Sequence, residues 1–216
     1  MPSIVWIIVL ASMQATVAET ALAPEKADEV ERDRIVLCEN RFEQVLAAAE
    51  VDQLLRRNWS PGIGNPPLGE RLTLYTDNAA YHVSMAHDEL VQQIIENCGD
   101  LIAPNAGYIS SDVGVGIWLL MQHHHNQVWL AQNGMEVIDG LFSANVLSPQ
   151  QYALFVDRVH WRTQGEQLYG SQGRCDEGVF VPFPIVDRDN VDNRRAEIGL
   201  GSIGQYTTRI TENRCR

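Results

Sequence analysis

From Asp28 to Arg57 the chain runs without Gly or Pro, and Val30, Arg34 and Leu37, then Phe42, Val45 and Leu46, recur at helical spacing. The pattern predicts a long helix with one core-facing stripe. The stretch NWSPGIGNPPLGE then breaks it with Gly, Pro and Asn. A second helix is expected from Asn78 to Asn97, with Val83, Leu90, Ile94 and Ile95 turned inward. A third is expected from Ser111 to about Gln132. It is apolar nearly all round (Val113, Ile117, Trp118, Leu120, Met121, Leu130), which suits the centre of a bundle. Gly114 and Gly116 permit close helix packing there. A short helix should follow over about Met135 to Ala144. Ser148-Pro149-Gln150-Gln151 reads as a helix start: Ser148 caps, Pro149 takes the first helical position and Gln151 completes a capping box. Tyr152, Phe155, Val156 and Val159 give that helix its core face. Beyond Gly165 the periodicity stops, with one more helical turn expected in DNRRAEIGL. There is no internal repeat. The expected fold is mainly α: a single-domain helical bundle over residues 28–216, with a long irregular C-terminal segment from about residue 165. Irregular runs of that length inside a compact domain are often functional.

The N-terminus changes the setting. Residues 1–18 carry no charged side chain, and residues 4–11 are an apolar run closed by small residues. That reads as a signal peptide cleaved after Ala18, with residues 19–27 a leader, although no Lys or Arg precedes the run. A spanning helix needs about 20 apolar residues, and Ser12, Gln14 and Thr16 interrupt this one. The expected destination is the periplasm or the extracellular space, with no stable membrane span after cleavage. In an oxidising compartment Cys38, Cys98, Cys175 and Cys215 read as two disulfides rather than a zinc or CxxC redox site. Three pairings are possible; the preferred one is Cys38–Cys98, tying two helices, and Cys175–Cys215, fastening the C-terminus. The formal net charge of -12 excludes the basic surface that nucleic acid needs. The partner left is a small molecule or another protein, of unstated identity.

Candidate chemistry begins with Gln122-His123-His124-His125-Asn126. Neighbouring helical residues point about 100° apart, so three adjacent histidines on one helix cannot converge on one ion. No metal and no cofactor is expected. His123 shares a helix face with Leu119, Leu120 and Leu130. It reads either as a core histidine satisfied by one hydrogen bond or as a general acid or base. Asp157 lies mid-helix between Val156 and Arg158 and needs a partner: an arginine in a structural ion pair, or a histidine that it orients. Tyr169-Gly170-Ser171-Gln172 offers a phenol, a hydroxyl and an amide around a turn-forming glycine. Ser171 is not in a GxSxG elbow. Asp187, Asp189 and Asp192 with Arg188, Arg194 and Arg195 read as a solvated salt-bridge cluster, without the spacing of a calcium-binding loop.

Together these stretches resemble a family. The carriers are Asp52-Gln53 with Arg56, the Trp118-to-His123 run WLLMQH, and Asp157-Arg158-Val159. Then come Gly165, Gln167 and Tyr169-to-Gln172, and Pro184-Ile185, Asp187 and Val191-to-Leu200. They resemble a bacterial family known as a domain of unknown function, with the patterns DQ, WLLxQHAD, DRV, GxPQxYGTQ and PxPIxDxxxVDxRRxxxGL. The resemblance spans roughly residues 40 to 206. Departures are Ser171 for Thr, Glu166 for Pro, and HHHN where the family carries an acid after its histidine. His123 falls on the family histidine, and the tail is a recurrent part of the pattern. Two readings follow. In one the protein is an exported hydrolase or transferase. His123 is its acid or base, Asp157 the orienter, and Tyr169, Gln167 and Gln172 supply polar contacts, with Arg194 or Arg195 holding an anionic group. In the other it is a non-catalytic envelope or secreted binding protein, and the same residues are a structural hydrogen-bond network.

Overall fold

A computed structural model of the chain describes residues 24–58, 70–102 and 109–215. The signal-peptide segment, most of the leader, the 59–69 breaker stretch and residues 103–108 lie outside the described residues. In order, the elements are α1 (Pro24–Asn58), α2 (Glu70–Cys98), a 3-10 turn (Gly99–Leu101), α3 (Ser111–His123), α4 (Gln127–Asn133), α5 (Met135–Ser143) and α6 (Pro149–Gln164). After α6 come β1 (Gly173–Asp176), β2 (Val179–Pro182), a 3-10 turn (Arg188–Asn190), α7 (Val191–Glu197) and α8 (Ile203–Arg214). The fold is mainly α. Among the described residues, no helix is long and apolar enough to cross a membrane.

α3 is the central element: it packs on α1, α2 and α6, and Ile117, Leu120 and Met121 are buried within the main core. Close approach of α1 requires Gly116, where an added Cβ would lie 2.7 Å from Val45 Cγ1. The stripe of α1 differs from the expected one. Cys38, Phe42, Val45 and Asp52 are buried, while Val30, Leu37 and Leu46 are exposed. The reason lies in what α1 is tied to. Cys38 is bonded to Cys98 at the end of α2, and Arg34 donates to the Asn97 carbonyl and the Asp100 carboxylate at 2.9 and 2.8 Å. These ties select the face that turns inward.

The third predicted helix is two helices. α3 stops at His123, because His124 turns extended (φ -59°, ψ 136°). Asn126 then caps α4 by accepting the Trp129 N–H at 2.9 Å. The start of α6 is as read: Ser148 and Gln151 form a reciprocal capping box with Pro149 in the first turn.

The C-terminal segment is more regular than expected. β1 and β2 pair antiparallel, Cys175 opposite Phe180. Glu177 and Gly178 both have positive φ (48° and 82°), the demand of a two-residue primed hairpin turn. α8 carries its own capping box at Ser202 and Gln205. A second small core of Phe180, Tyr206 and Cys215 joins hairpin to helix, closed by the Cys175–Cys215 disulfide. Both disulfides thus have the preferred pairing. In the chain-entropy picture, loops of 60 and 40 residues give each about 4 kcal/mol.

Candidate functional site

The three histidines that end α3 go to three different places, because the helix breaks among them. His123 Nδ1 lies 2.7 Å from Asp52 Oδ2. Asp52 belongs to α1 and is 5% exposed; the His123 side chain is 18% exposed. Gln53 Nε2 donates to the same Asp52 oxygen at 3.2 Å. A carboxylate on Nδ1 fixes the proton there and leaves Nε2 as the basic nitrogen. His124 is 3% exposed, and its ring stacks on Trp129 at 5.5 Å. Its Nδ1 accepts the Asn126 N–H at 3.0 Å, which places the ring proton on Nε2. Burial holds the His124 pKa below the usual histidine range, against the opposing pull of Asp88. His125 is half exposed, with Nδ1 2.7 Å from Asp88 Oδ2. Its N–H also donates to the Asp88 carboxylate at 3.2 Å. Asp88 is buried on α2 and, with His82, Glu89, His124 and His125, borders an open cleft of about 570 Å³. Among the described residues, no three His, Cys, Asp or Glu side chains are grouped to hold a metal ion.

The polar residues of α6 and the tail form a second assembly, and almost all of it binds backbone. Asp157 Oδ1 accepts the N–H groups of Leu168 and Tyr169 at 2.8 and 2.7 Å, and its Oδ2 accepts that of Ser171 at 2.6 Å. Burial raises the Asp157 pKa, and the three backbone donors oppose that rise. Gln167 is fully buried. Its Nε2 donates to the Gln172 and Phe183 carbonyls at 2.8 and 2.9 Å, and its Oε1 accepts the Gln172 N–H at 2.8 Å. Gln172 Nε2 donates to the Leu154 carbonyl of α6 at 3.1 Å. Arg194 donates to the carbonyls of Leu168, Val186 and Asp187. Arg195 donates to those of Gly201 and Tyr169, each at 2.6 Å. Tyr206 Oη donates to the Ser171 carbonyl at 3.0 Å.

The expected residues therefore separate into two groups. Asp157, Gln167, Tyr169, Gln172, Arg194 and Arg195 meet in one network that holds the tail on α6. His123, at the end of α3, stands apart from it against Asp52 of α1, and the expected His123–Asp157 pair is not formed, since both Asp157 oxygens are taken by backbone donors. The expected salt-bridge cluster is likewise replaced. Asp187 accepts from Asn190 Nδ2 at 2.7 Å and Asp192 from the Ile203 N–H at 2.6 Å, while Arg194 and Arg195 turn to carbonyls.

A family described as one of unknown function matches residues 40–214. The chain belongs to this family, DUF6624. No curated protein and no solved structure matches the chain. The DUF6624 match contains both the His123–Asp52 pair and the tail network. It holds one cysteine of each disulfide, Cys98 and Cys175, while Cys38 and Cys215 fall outside it. Three residues had no role assigned from sequence: Asp52, Asp88 and Tyr206. For Asp52 the signal was present. It follows Cys38, Phe42 and Val45 at helical spacing, a carboxylate on the buried face of an amphipathic helix, which needs a partner. Asp88 and Tyr206 gave no comparable signal, because their partners arrive through tertiary contact.

Proposed function

We propose that this DUF6624 protein is an exported enzyme, a hydrolase or transferase, in which His123 is the general acid–base and Asp52 its orienting carboxylate. The observation that carries the reading is the 2.7 Å contact between buried Asp52 and the partly exposed His123 ring. A buried carboxylate on Nδ1 does two things: it fixes the tautomer with Nε2 free to take a proton, and it stabilises the imidazolium that forms. Asp157, Gln167, Gln172 and Arg194 drop out of the chemistry in this reading, since their polar atoms are engaged with backbone. Export is supported by the apolar, uncharged first eighteen residues and by the two disulfides.

The test is a screen of the oxidised protein against chromogenic esters, phosphoesters and glycosides, with His123→Gln and Asp52→Asn as controls. The expected result is a loss of kcat of about 100-fold or more in His123→Gln at unchanged melting temperature. A shared loss of stability, with every turnover unaffected, would leave His123 a core residue and favour the non-catalytic binding protein. Nitrogen-15 NMR of the His123 ring gives an independent readout: protonation on Nε2 in the neutral state sinks the proposed role.

A further inference from the structure

A second site lies away from His123, where the N-termini of α6 and α8 face the same cleft of about 430 Å³. The cleft is lined by Ser148, Gln150, Arg195, Ser202, Tyr206 and Arg209, among others, and none of its lining residues is acidic. In a chain of net charge -12, this concavity holds two arginines and no carboxylate. Arg195 is the deeper cation, 2% exposed. Its Nε and Nη1 are spent on the Gly201 and Tyr169 carbonyls. These bonds satisfy two donor groups and neutralise no charge. No carboxylate pairs with it, and its Nη2 has no acceptor among the described residues. A buried guanidinium is costly to desolvate; the Asp157 and Asp192 carboxylates, beyond ion-pair contact, and the Tyr206 ring face 5.1 Å away offset part of that cost. Arg209, exposed on α8, covers the same ring at 5.6 Å. It reaches Gln150 Oε1 at 3.5 Å. Gln150 Nε2 is buried with no hydrogen-bond partner. Two helix N-termini add their positive ends at Ser148 and Ser202.

We propose that this cleft binds a doubly charged oxyanion, phosphate or a phosphate monoester. Arg195 supplies the buried charge, Arg209 donates from the rim, Gln150 Nε2 is an unused donor in the wall, and the starts of α6 and α8 line the cleft. The site does not depend on the role of His123. Arg195 also holds the tail, so the test leaves it intact and changes Arg209→Gln and Gln150→Ala, both in the cleft lining. Inorganic phosphate and glycerol phosphate are titrated in separate calorimetric experiments at matched ionic strength, into the full oxidised chain. The expected result is saturable one-to-one binding with a rise in melting temperature, weakened about tenfold in Arg209→Gln, as loss of one charge-assisted donor predicts. Tighter binding of the monoester assigns the site to a phosphorylated ligand, and tighter binding of the free ion to phosphate itself. Absence of saturable binding, or equal affinity in wild type and both variants, overturns the proposal.

Discussion

His124 shows how much a single position can decide. It is buried against Trp129, and its extended backbone ends α3, so that the flanking histidines reach carboxylates on two other helices. Its pKa is lowered by burial, with Asp88 on α2 opposing and His125 reinforcing. The sign follows: a histidine with a depressed folded pKa binds its proton more readily in the unfolded chain, so its stabilising contribution is present above the ordinary value near 6.5 and is lost as pH falls below it. Acidification from about pH 7.5 to 5 should lower the melting temperature, and His124→Phe should flatten that slope. A slope unchanged in the variant would assign the acid sensitivity to other groups. Asp157 makes the complementary case. Asp157→Asn replaces an acceptor oxygen with an amide that faces backbone donors, leaving at least one N–H unpaired at a cost of about 1–3 kcal/mol. Denaturant midpoints should register that loss, with protection of the Leu168, Tyr169 and Ser171 amides falling first. At this scale the sequence named most of the participants but not their partners. His123 and Asp157 were both recognisable as polar residues on apolar faces; that they belong to different assemblies depends on which helices cross, which spacing does not encode.

The start of α6 was the most legible boundary, whereas α2 begins at Glu70 rather than the expected Asn78 and α8 was not expected. Ser148-Pro149-Gln150-Gln151 and the glycines of α3 announce their local geometry because capping and close approach are decided by nearby residues. The break after His123 was not legible: QHHHN contains neither Gly nor Pro, and the apolar pattern continues through Trp129 and Leu130. The hairpin was missed for a different reason. Its strands are four residues each, too short for alternation to stand out, and the turn signal Glu177-Gly178 is carried by one glycine. Its stability comes from α8, through the Phe180 N–H donated to Thr211 Oγ1 at 2.9 Å and through the disulfide. A Cys175→Ser/Cys215→Ser variant should therefore lose amide protection in the hairpin and the last turns of α8 while the α1–α3 core stays protected. Uniform loss of protection through all helices would mean that the tail and core unfold as one unit. On the core side, Gly116→Ala should cost about 1–3 kcal/mol by overpacking, because the new methyl meets Val45 at 2.7 Å.

At the scale of the whole molecule, the two disulfides belong to different cores. Cys38–Cys98 binds α1 to α2 beside the main core, and Cys175–Cys215 closes the small core of the tail. Between them the tail is held on α6 by side chains bonded to backbone, so neither half depends on the other's disulfide for its contacts. Charge sharpens the consequence. A net charge of -12 makes the compact state repel itself, and with about 4 kcal/mol from each closed loop against a typical total of about 5–15 kcal/mol, the reduced chain keeps little margin. Protein recovered from an oxidising compartment should show no titratable thiol under denaturing conditions. Reduction should lower its denaturation midpoint in two steps, the exposed Cys175 opening before the fully buried Cys38–Cys98 pair. Four free thiols in protein taken from its native compartment would place the chain in a reducing environment. Export would then fall as a reading, while the His123–Asp52 pair, which contains no cysteine, would stand for separate test in the reduced chain.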